Sequence, residues 1–303
     1  MNSHSSSVHI EVANVYKTFG KASLKKTVLH GIDLQISRGE MVALLGASGS
    51  GKSTLMRILN GLHSLDATEG AVVKIDGQVL QESGRLSPQV RAIRSRIATI
   101  FQQFNLVGRM KVVTNVSVGA LYPLPLWRTL IGLFPRTTEL KSLQALHQVG
   151  ILDQAYKRAR SLSGGQQQRV AIARAIAQGA DLILADEPIA SLDPESSRKV
   201  MELLVRLNKE HNCTVLVSLH QVAVALKYCS RVVALKDGRI VYDGPTAALT
   251  ESQLKDLYGS DSDLVFDDLE TSPGKSKQAK TSSKDIPVFN TEPSRSSYEV
   301  YAS

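Results

Sequence analysis

Gly46-Ala47-Ser48-Gly49-Ser50-Gly51-Lys52-Ser53-Thr54, written GASGSGKST, fits the pattern G-x-x-x-x-G-K-[ST]. In a loop of this kind the backbone N–H groups wrap anionic oxygens, and the Lys, here Lys52, reaches the outer phosphates. Glycine is required because the chain must turn tightly and bring its backbone up to an anion. The flanks agree with this reading. The apolar run 41–45 predicts a buried strand entering the loop, and 52–61 predicts a helix leaving it.

A phosphate loop needs an acidic partner, and one stands where an α/β sheet would deliver it. Leu182-Ile183-Leu184-Ala185 reads as a strand buried on both faces, and it ends in Asp186-Glu187. Carboxylates at the carboxyl end of a central strand lie where ligands of open α/β sheets sit. Asp186 is expected to orient Mg²⁺ together with the Ser53 hydroxyl, and Glu187 to polarise an attacking water. Elsewhere an Asp-Glu pair would read as two ordinary surface acids; beside this loop it reads as chemistry.

A second stretch, LSGGQQQRV at 162–170, carries its own anion-binding signal. Gly164 and Gly165 follow Ser163 just ahead of a helical stretch, 166–177, so they present N–H groups and a positive dipole end. With this motif the chain resembles the ATP-binding subunits of ABC transporters, from about Val8 to about Tyr258. Ser163-Gly164-Gly165-Gln166 resembles that family's signature, Gln102 in FQQFNL its Q-loop glutamine, Ala190-Ser191-Leu192-Asp193 its D-loop, and His220 its switch histidine. Phe19 stands at the position of the aromatic that stacks on adenine. The resemblance implies an α/β P-loop NTPase core of the RecA-like kind, with an antiparallel β subdomain and an inserted α-helical subdomain. It implies ATP and Mg²⁺ as cofactors, with Gly46, Ala47, Ser48, Gly49, Ser50, Gly51, Lys52, Ser53 and Thr54 on the phosphates, and Ser53, Gln102 and Asp186 at the metal. Glu187, His220 and Gln102 are the implied catalytic group. Ser163, Gly164, Gly165, Gln166 and Asp193 would complete the site of a second copy of the chain, so that neither copy alone hydrolyses ATP.

Composition sets the surroundings. No stretch reaches the roughly 18 uninterrupted apolar residues of a spanning helix; the most apolar candidate, 121–135, is broken by three prolines and Arg128. The start, MNSHSSSVHI, has neither the basic nor the apolar part of a secretory signal. Cys213 and Cys229 are too few and too far apart for a disulfide framework or a zinc site and read as reduced thiols. From Gly259 onward five Lys or Arg face eight Asp or Glu, which leaves 31 against 20 before it, a formal +11. With no interleaved aromatic stripe, that charge suits nucleotide or anionic lipid and predicts no nucleic-acid partner.

The strand signals are of two kinds. Residues 8–15, 32–36, 72–75 and a hairpin of 232–235 with 240–242 around Lys236-Asp237-Gly238-Arg239 are expected to form the antiparallel part. Residues 41–45, 97–101, 182–185 and 214–219 are expected to be parallel, with a helix over 194–209. Between Gln102 and Ser163 helical spacing takes over, which predicts a helical subdomain over about 104–165 within an ATPase domain of 8–258. Residues 1–7 and the polar stretch 259–303 are expected to be disordered.

Within the family, FQQFNLVGRM, WRTLIGLFP at 127–135, DEPIASLDPESSR at 186–198 and LHQVAVALKYCSRVVALKDGRIVYDGP at 219–245 resemble the ATP-binding subunits of phosphonate importers. This branch implies a homodimer on the cytoplasmic face of the cell membrane, bound to permease subunits, with a substrate-binding protein joined through the complex. The residues 104–113 are expected to line the cleft that receives the permease. Phosphite, phosphate or another organophosphorus cargo stays open, because the cargo is held by other chains. A soluble ABC ATPase acting on DNA would carry a long coiled-coil insertion, which this chain lacks. A non-hydrolytic module would not need Lys52, Gln102, Glu187 and His220 together.

Overall fold

A computed structural model describes residues 7–20, 24–122 and 135–258. The stretches 1–6, 21–23, 123–134 and 259–303, with most of WRTLIGLFP and the whole of the polar C-terminal stretch, lie outside the described residues. In chain order the strands are β1 (Val8–Phe19), β2 (Lys26–Ser37), β3 (Met41–Leu45), β4 (Val72–Ile75), β5 (Gln78–Glu82), β6 (Arg85–Leu86), β7 (Ile97–Ile100), β8 (Leu182–Asp186), β9 (Thr214–Ser218), β10 (Arg231–Lys236) and β11 (Arg239–Pro245). The helices are α1 (Lys52–Leu59), α2 (Val90–Arg94), α3 (Val112–Ser117), α4 (Arg136–Gln148), α5 (Gly164–Gln178), α6 (Pro194–His211), α7 (Val222–Tyr228) and α8 (Glu251–Tyr258).

Two sheets stack. One is antiparallel in the order β2-β1-β4-β5-β6, and the other runs β11-β10-β3-β9-β8-β7, parallel except for β11. The parallel strands are apolar throughout because both of their faces are covered. In β3, Met41, Ala43 and Leu45 join a cluster with α3, α4, α5 and α6, whereas Val42 and Leu44 join one with α1 and the antiparallel sheet. Each such Leu or Val, fully buried, contributes about 1.5–3 kcal/mol over an exposed one.

The hairpin departs from its expected place. β10 lies parallel to β3, with Val232 opposite Ala43 and Val233 opposite Leu44, so it belongs to the core sheet. The reason is burial on both faces: Val232 and Ala234 enter the helix-side cluster, Val233 and Leu235 the other. Strands β1 and β2 are also longer than the spacing indicates, twelve residues each, because register shifts, one of them spanning Asn14 with its φ of 49°, carry the pairing through a break in the alternation. Between Gln102 and Ser163, α3 and α4 pack against each other and on α5, whose later turns reach β7.

The two sheets are pinned together at the amino ends of β7, β8 and β9. Arg38 and Arg96 both pair with Asp76, at 2.5 and 2.9 Å, and both with Asp181, at 3.3 and 2.5 Å. Beside them His9 of β1 is buried, with Nδ1 2.6 Å from the Thr214 hydroxyl and Nε2 3.7 Å from Asp181. Burial, reinforced by Arg38, pushes the His9 imidazole below its ordinary value against the pull of Asp181. The unfolded chain therefore takes up this proton first, and the stability due to neutral His9 is lost as pH falls from about 6.5 towards the lower folded value. Thermal melts of the parent and His9→Gln between pH 8 and pH 5 should show the parent's advantage largest at high pH and shrinking as pH falls. An advantage that does not change with pH would place no titration at His9.

Candidate functional site

The carboxyl ends of the parallel strands all open on one edge, and the chemistry collects there. β3 ends at Leu45 and the chain turns through Gly46 to Gly51 into α1. At Gly46 the backbone has φ of +148°, and a Cβ there would stand 2.3 Å from the Leu235 carbonyl oxygen and 2.6 Å from Ser50 Oγ, so no larger residue fits. Lys52 folds back into the loop and donates from Nζ to Gly46 O at 2.7 Å and Ala47 O at 3.1 Å. It is 4% exposed, and burial lowers its pKa, opposed by the charges of Glu187 and Asp186. Ser50 Oγ is buried without a hydrogen-bond partner among the described residues. An inward ammonium and an unpartnered buried hydroxyl suit a loop built to receive phosphate oxygens.

The acids face this loop. Asp186 Oδ1 accepts the Ser53 hydroxyl at 3.0 Å and the Ser218 hydroxyl at 2.9 Å. Glu187 sits at φ of 50°, unusual for a residue with a side chain, and its N–H donates to Ser218 Oγ at 2.9 Å. Its carboxylate oxygen Oε1 stands 2.5 Å from His220 Nε2. Gln102 is exposed two residues beyond β7, and since Ile100 lies opposite Ala185, it leaves the sheet on the same edge as Asp186. Phe19 is at the tip of the β1–β2 pair, 37% exposed, with Lys17 Nζ 5.2 Å from its ring centre and His63 edge-on at 5.5 Å. Thr54 lies in the first turn of α1, and Ala47, Ser48, Gly49 and Gly51 complete the loop.

The remaining sequence-predicted residues form a second cluster. Ser163 caps α5: its Oγ accepts the Gln166 N–H at 3.3 Å, and Gln166 Oε1 accepts the Ser163 N–H at 3.0 Å. Gly164 and Gly165 are thereby in the first helical turn, not ahead of it. A Cβ on Gly165 would stand 2.4 Å from Ser196 Oγ, so the start of α5 is seated on the first turn of α6. Asp193 caps α6 by accepting the Ser196 N–H at 2.9 Å, and this hydrogen bonding holds its carboxyl below the usual range. Within one chain, then, Ser163–Gln166 and Asp193 stand together, and the phosphate loop, Asp186, Glu187 and His220 stand together.

Two side chains went unrecognised in the sequence. Ser218 links both acids, and its only signal was a hydroxyl closing the apolar run Thr214–Ser218. Arg174, a lone cation in the apolar turns of α5, donates to the carbonyls of Asn105 at 2.8 Å and Phe104 at 3.2 Å, and burial lowers its pKa. Those carbonyls belong to residues at φ of 48° and 55°, just past Gln102, so the chain after the glutamine is tied to the helix that Ser163 caps. Arg174 also lines a cleft of about 630 Å³ with Phe101, Asn105, Val118, Tyr122 and Arg94. Of 104–113 only Asn105 lines it; Val112 and Val113 are buried in the helix-side core, and the exposed Val107 and Met110 lie outside the cleft lining.

Residues 29–190 match the family described as ABC transporter. The chain belongs to the ABC transporter family. It is 55% identical over 265 residues to the phosphonates import ATP-binding protein PhnC of Cupriavidus pinatubonensis, covering 87% of this chain and 93% of the relative. The protein of the same name in Paraburkholderia xenovorans is 50% identical over 289 residues, 95% of this chain and 94% of the relative. Among solved structures, the dimeric post-hydrolysis state of the ATP-binding cassette MJ0796, bound to ADP and Pi, superposes with a TM-score of 0.68 at 32% identity, covering 79% of this chain and all of the other. The P-loop NTPase fold, with its antiparallel and parallel sheets, is that of this family's cassettes.

Lys52→Ala removes the cation from the loop, and the charged hydrogen bonds lost amount to about 3 kcal/mol, roughly 100-fold in ATP affinity. Equilibrium titration with a fluorescent ATP analogue should show that loss while the fold, followed by circular dichroism, persists. Parental affinity would move the phosphate site elsewhere.

Proposed function

We propose that this chain is the ATP-hydrolysing subunit of an importer for phosphonates, working as a homodimer on the cytoplasmic face of the membrane. The observation that carries the catalytic part is the Glu187–His220 contact at 2.5 Å beside Asp186, Ser53 and the buried Lys52. The transport part is supported by the 50–55% identity to two proteins named for phosphonate import, along nearly their whole length.

The residues fit ATP and Mg²⁺. A hydroxyl and a carboxylate at 3.0 Å, with Gln102 on the same edge, are the hard oxygen donors that Mg²⁺ shares with phosphates. Ser53, Asp186 and Gln102 would hold the metal, which when bound offsets charge on the phosphate oxygens. Lys52 and the N–H groups of Gly46–Thr54 bind and orient the phosphates, and the exposed face of Phe19 receives the adenine. Glu187 is placed to take the proton of an attacking water. His220 holds that carboxylate in place and reaches towards the outermost phosphate.

The second cluster supplies what one chain lacks. Ser163, Gly164, Gly165 and Gln166 form a capped helix start, exposed at Ser163, whose N–H groups favour an anion. In a head-to-tail dimer they would close over the partner's phosphates, with Asp193 near the seam. MJ0796 is dimeric with its nucleotide products, which supports this arrangement. ATP then closes the dimer and hydrolysis reopens it. The working unit spans 8–258, with a helical subdomain over about 104–165. No helix among the described residues is long and apolar enough to cross a membrane; in this reading the permease and the substrate-binding protein are supplied by other chains. The cleft beside Gln102 is the place for the permease, since a segment seated there touches both the glutamine loop and α5.

Glu187→Gln keeps the shape but cannot accept a proton. Turnover should fall by roughly 100-fold or more, and ATP should hold the variant as a dimer on gel filtration. Ser163→Arg should bind ATP at its own loop and remain monomeric. Dimerisation of the arginine variant with parental turnover would break the composite-site reading. Deleting the gene should abolish growth on a phosphonate as sole phosphorus source and spare growth on phosphate; growth retained on every phosphonate tried would reject that cargo.

A further inference from the structure

Ser218 closes β9 directly opposite Asp186, the last residue of β8, and it is fully buried. A hydroxyl at the end of the apolar run Val215-Leu216-Val217 needs partners, and it has two. The direction of both bonds follows from valence alone. The Glu187 N–H can only donate, so Ser218 Oγ accepts it at 2.9 Å, and the single hydroxyl proton goes to Asp186 Oδ1, also at 2.9 Å. One hydroxyl thus touches the backbone of one acid and the carboxylate of the other.

Each contact meets a specific demand. Glu187 has φ of 50°, a conformation that costs free energy in a residue with a Cβ and persists only where neighbours hold it. Its carboxylate is aimed at His220 from that backbone. Asp186 Oδ1 takes a second hydroxyl from Ser53 at 3.0 Å. When the Ser53 oxygen turns to a cation, Ser218 is the donor left on Asp186.

We infer that Ser218 is a positioning residue for ATP hydrolysis: its hydroxyl orients the Asp186 carboxylate towards Ser53 and locks the backbone that aims Glu187 at His220. The inference rests on the reading of Asp186 as metal-holding and Glu187 as the base. A hydroxyl that only filled space at the strand end would affect stability and leave metal affinity alone.

The test compares Ser218→Ala and Ser218→Thr in the full chain. Four quantities are read: kcat, KM for ATP, the Mg²⁺ concentration for half-maximal turnover, and Mn²⁺ affinity with a non-hydrolysable ATP analogue, by electron paramagnetic resonance. Removing a group that orients a metal-holding side chain costs roughly 10- to 100-fold in metal affinity or rate. Ser218→Ala should lose that much in kcat and in Mn²⁺ affinity, need more Mg²⁺, and keep a KM near the parent's. Ser218→Thr, which retains the hydroxyl, should recover both losses. Should the alanine variant fail to fold by circular dichroism, Ser218→Cys keeps the volume with a weaker donor and is expected to fold with reduced Mn²⁺ affinity. Parental Mn²⁺ affinity in whichever of the alanine or cysteine variants folds, or equal impairment of the alanine and threonine variants, overturns the inference. Glu187→Gln run alongside separates the two failures. If it hydrolyses like the parent, the site reading itself falls; if it is inactive while Ser218→Ala is normal, only the role of Ser218 falls.

Discussion

Five parallel strands covered on both faces leave no place for a charge except at their ends. β10, β3, β9, β8 and β7 are apolar from side to side because helices lie on one face and α1 with a second sheet on the other. Polar residues on these strands are therefore driven to the two edges, and each edge becomes a distinct electrostatic environment. The carboxyl edge has Lys52, Asp186, Glu187 and His220. The amino edge has Arg38, Asp76, Arg96 and Asp181 with the buried His9.

The two edges differ in what their charges have for partners. At the amino edge each arginine meets both aspartates, and the Arg38 hydrogen bond holds Asp76 below the ordinary carboxylate range. The charges there neutralise one another and join the sheets. At the carboxyl edge Lys52 is turned onto two backbone carbonyls, Asp186 is held by two hydroxyls, and the Glu187 carboxylate meets the His220 ring, with no arginine on either acid. Such groups remain free to exchange these bonds for a ligand's oxygens. The difference in partners is what separates a structural ion cluster from a reactive site.

Three of the eight non-glycine residues with positive φ among the described residues stand at or just past this edge. Glu187 lies at φ of 50°, and Phe104 and Asn105 lie at 55° and 48°. Each is held by a side chain from another element: Ser218 for Glu187, Arg174 for the pair after Gln102. Residues in this conformation persist only where the surroundings over-determine them. The rigidity of the sheet aims a few groups, and the holding residues lie on β9 and α5.

GASGSGKST, the run 182–187 and LSGGQ were legible in the sequence because each is a local object: a turn, a strand end, a helix start. Their local form follows from residues within one turn or one strand, so spacing alone predicts it. The parallel strands were legible for the same reason, since a run of buried apolar residues is local. The place of β10 was not, because hairpin chemistry at Asp237-Gly238 says how β10 meets β11 and nothing about β3, which pairs on its other side. Ser218 and Arg174 were silent too. Ser218 meets an acid 32 positions away, and Arg174 meets carbonyls some 70 positions away, contacts that exist only once strand register and helix seating are set. The sequence by itself determined the tight glycine turn, the buried strand ending in two acids and the capped helix start, because those depend on residue type and short spacing. Only the tertiary structure decided which side chains hold those groups in place, because burial and register bring together residues that the chain keeps apart.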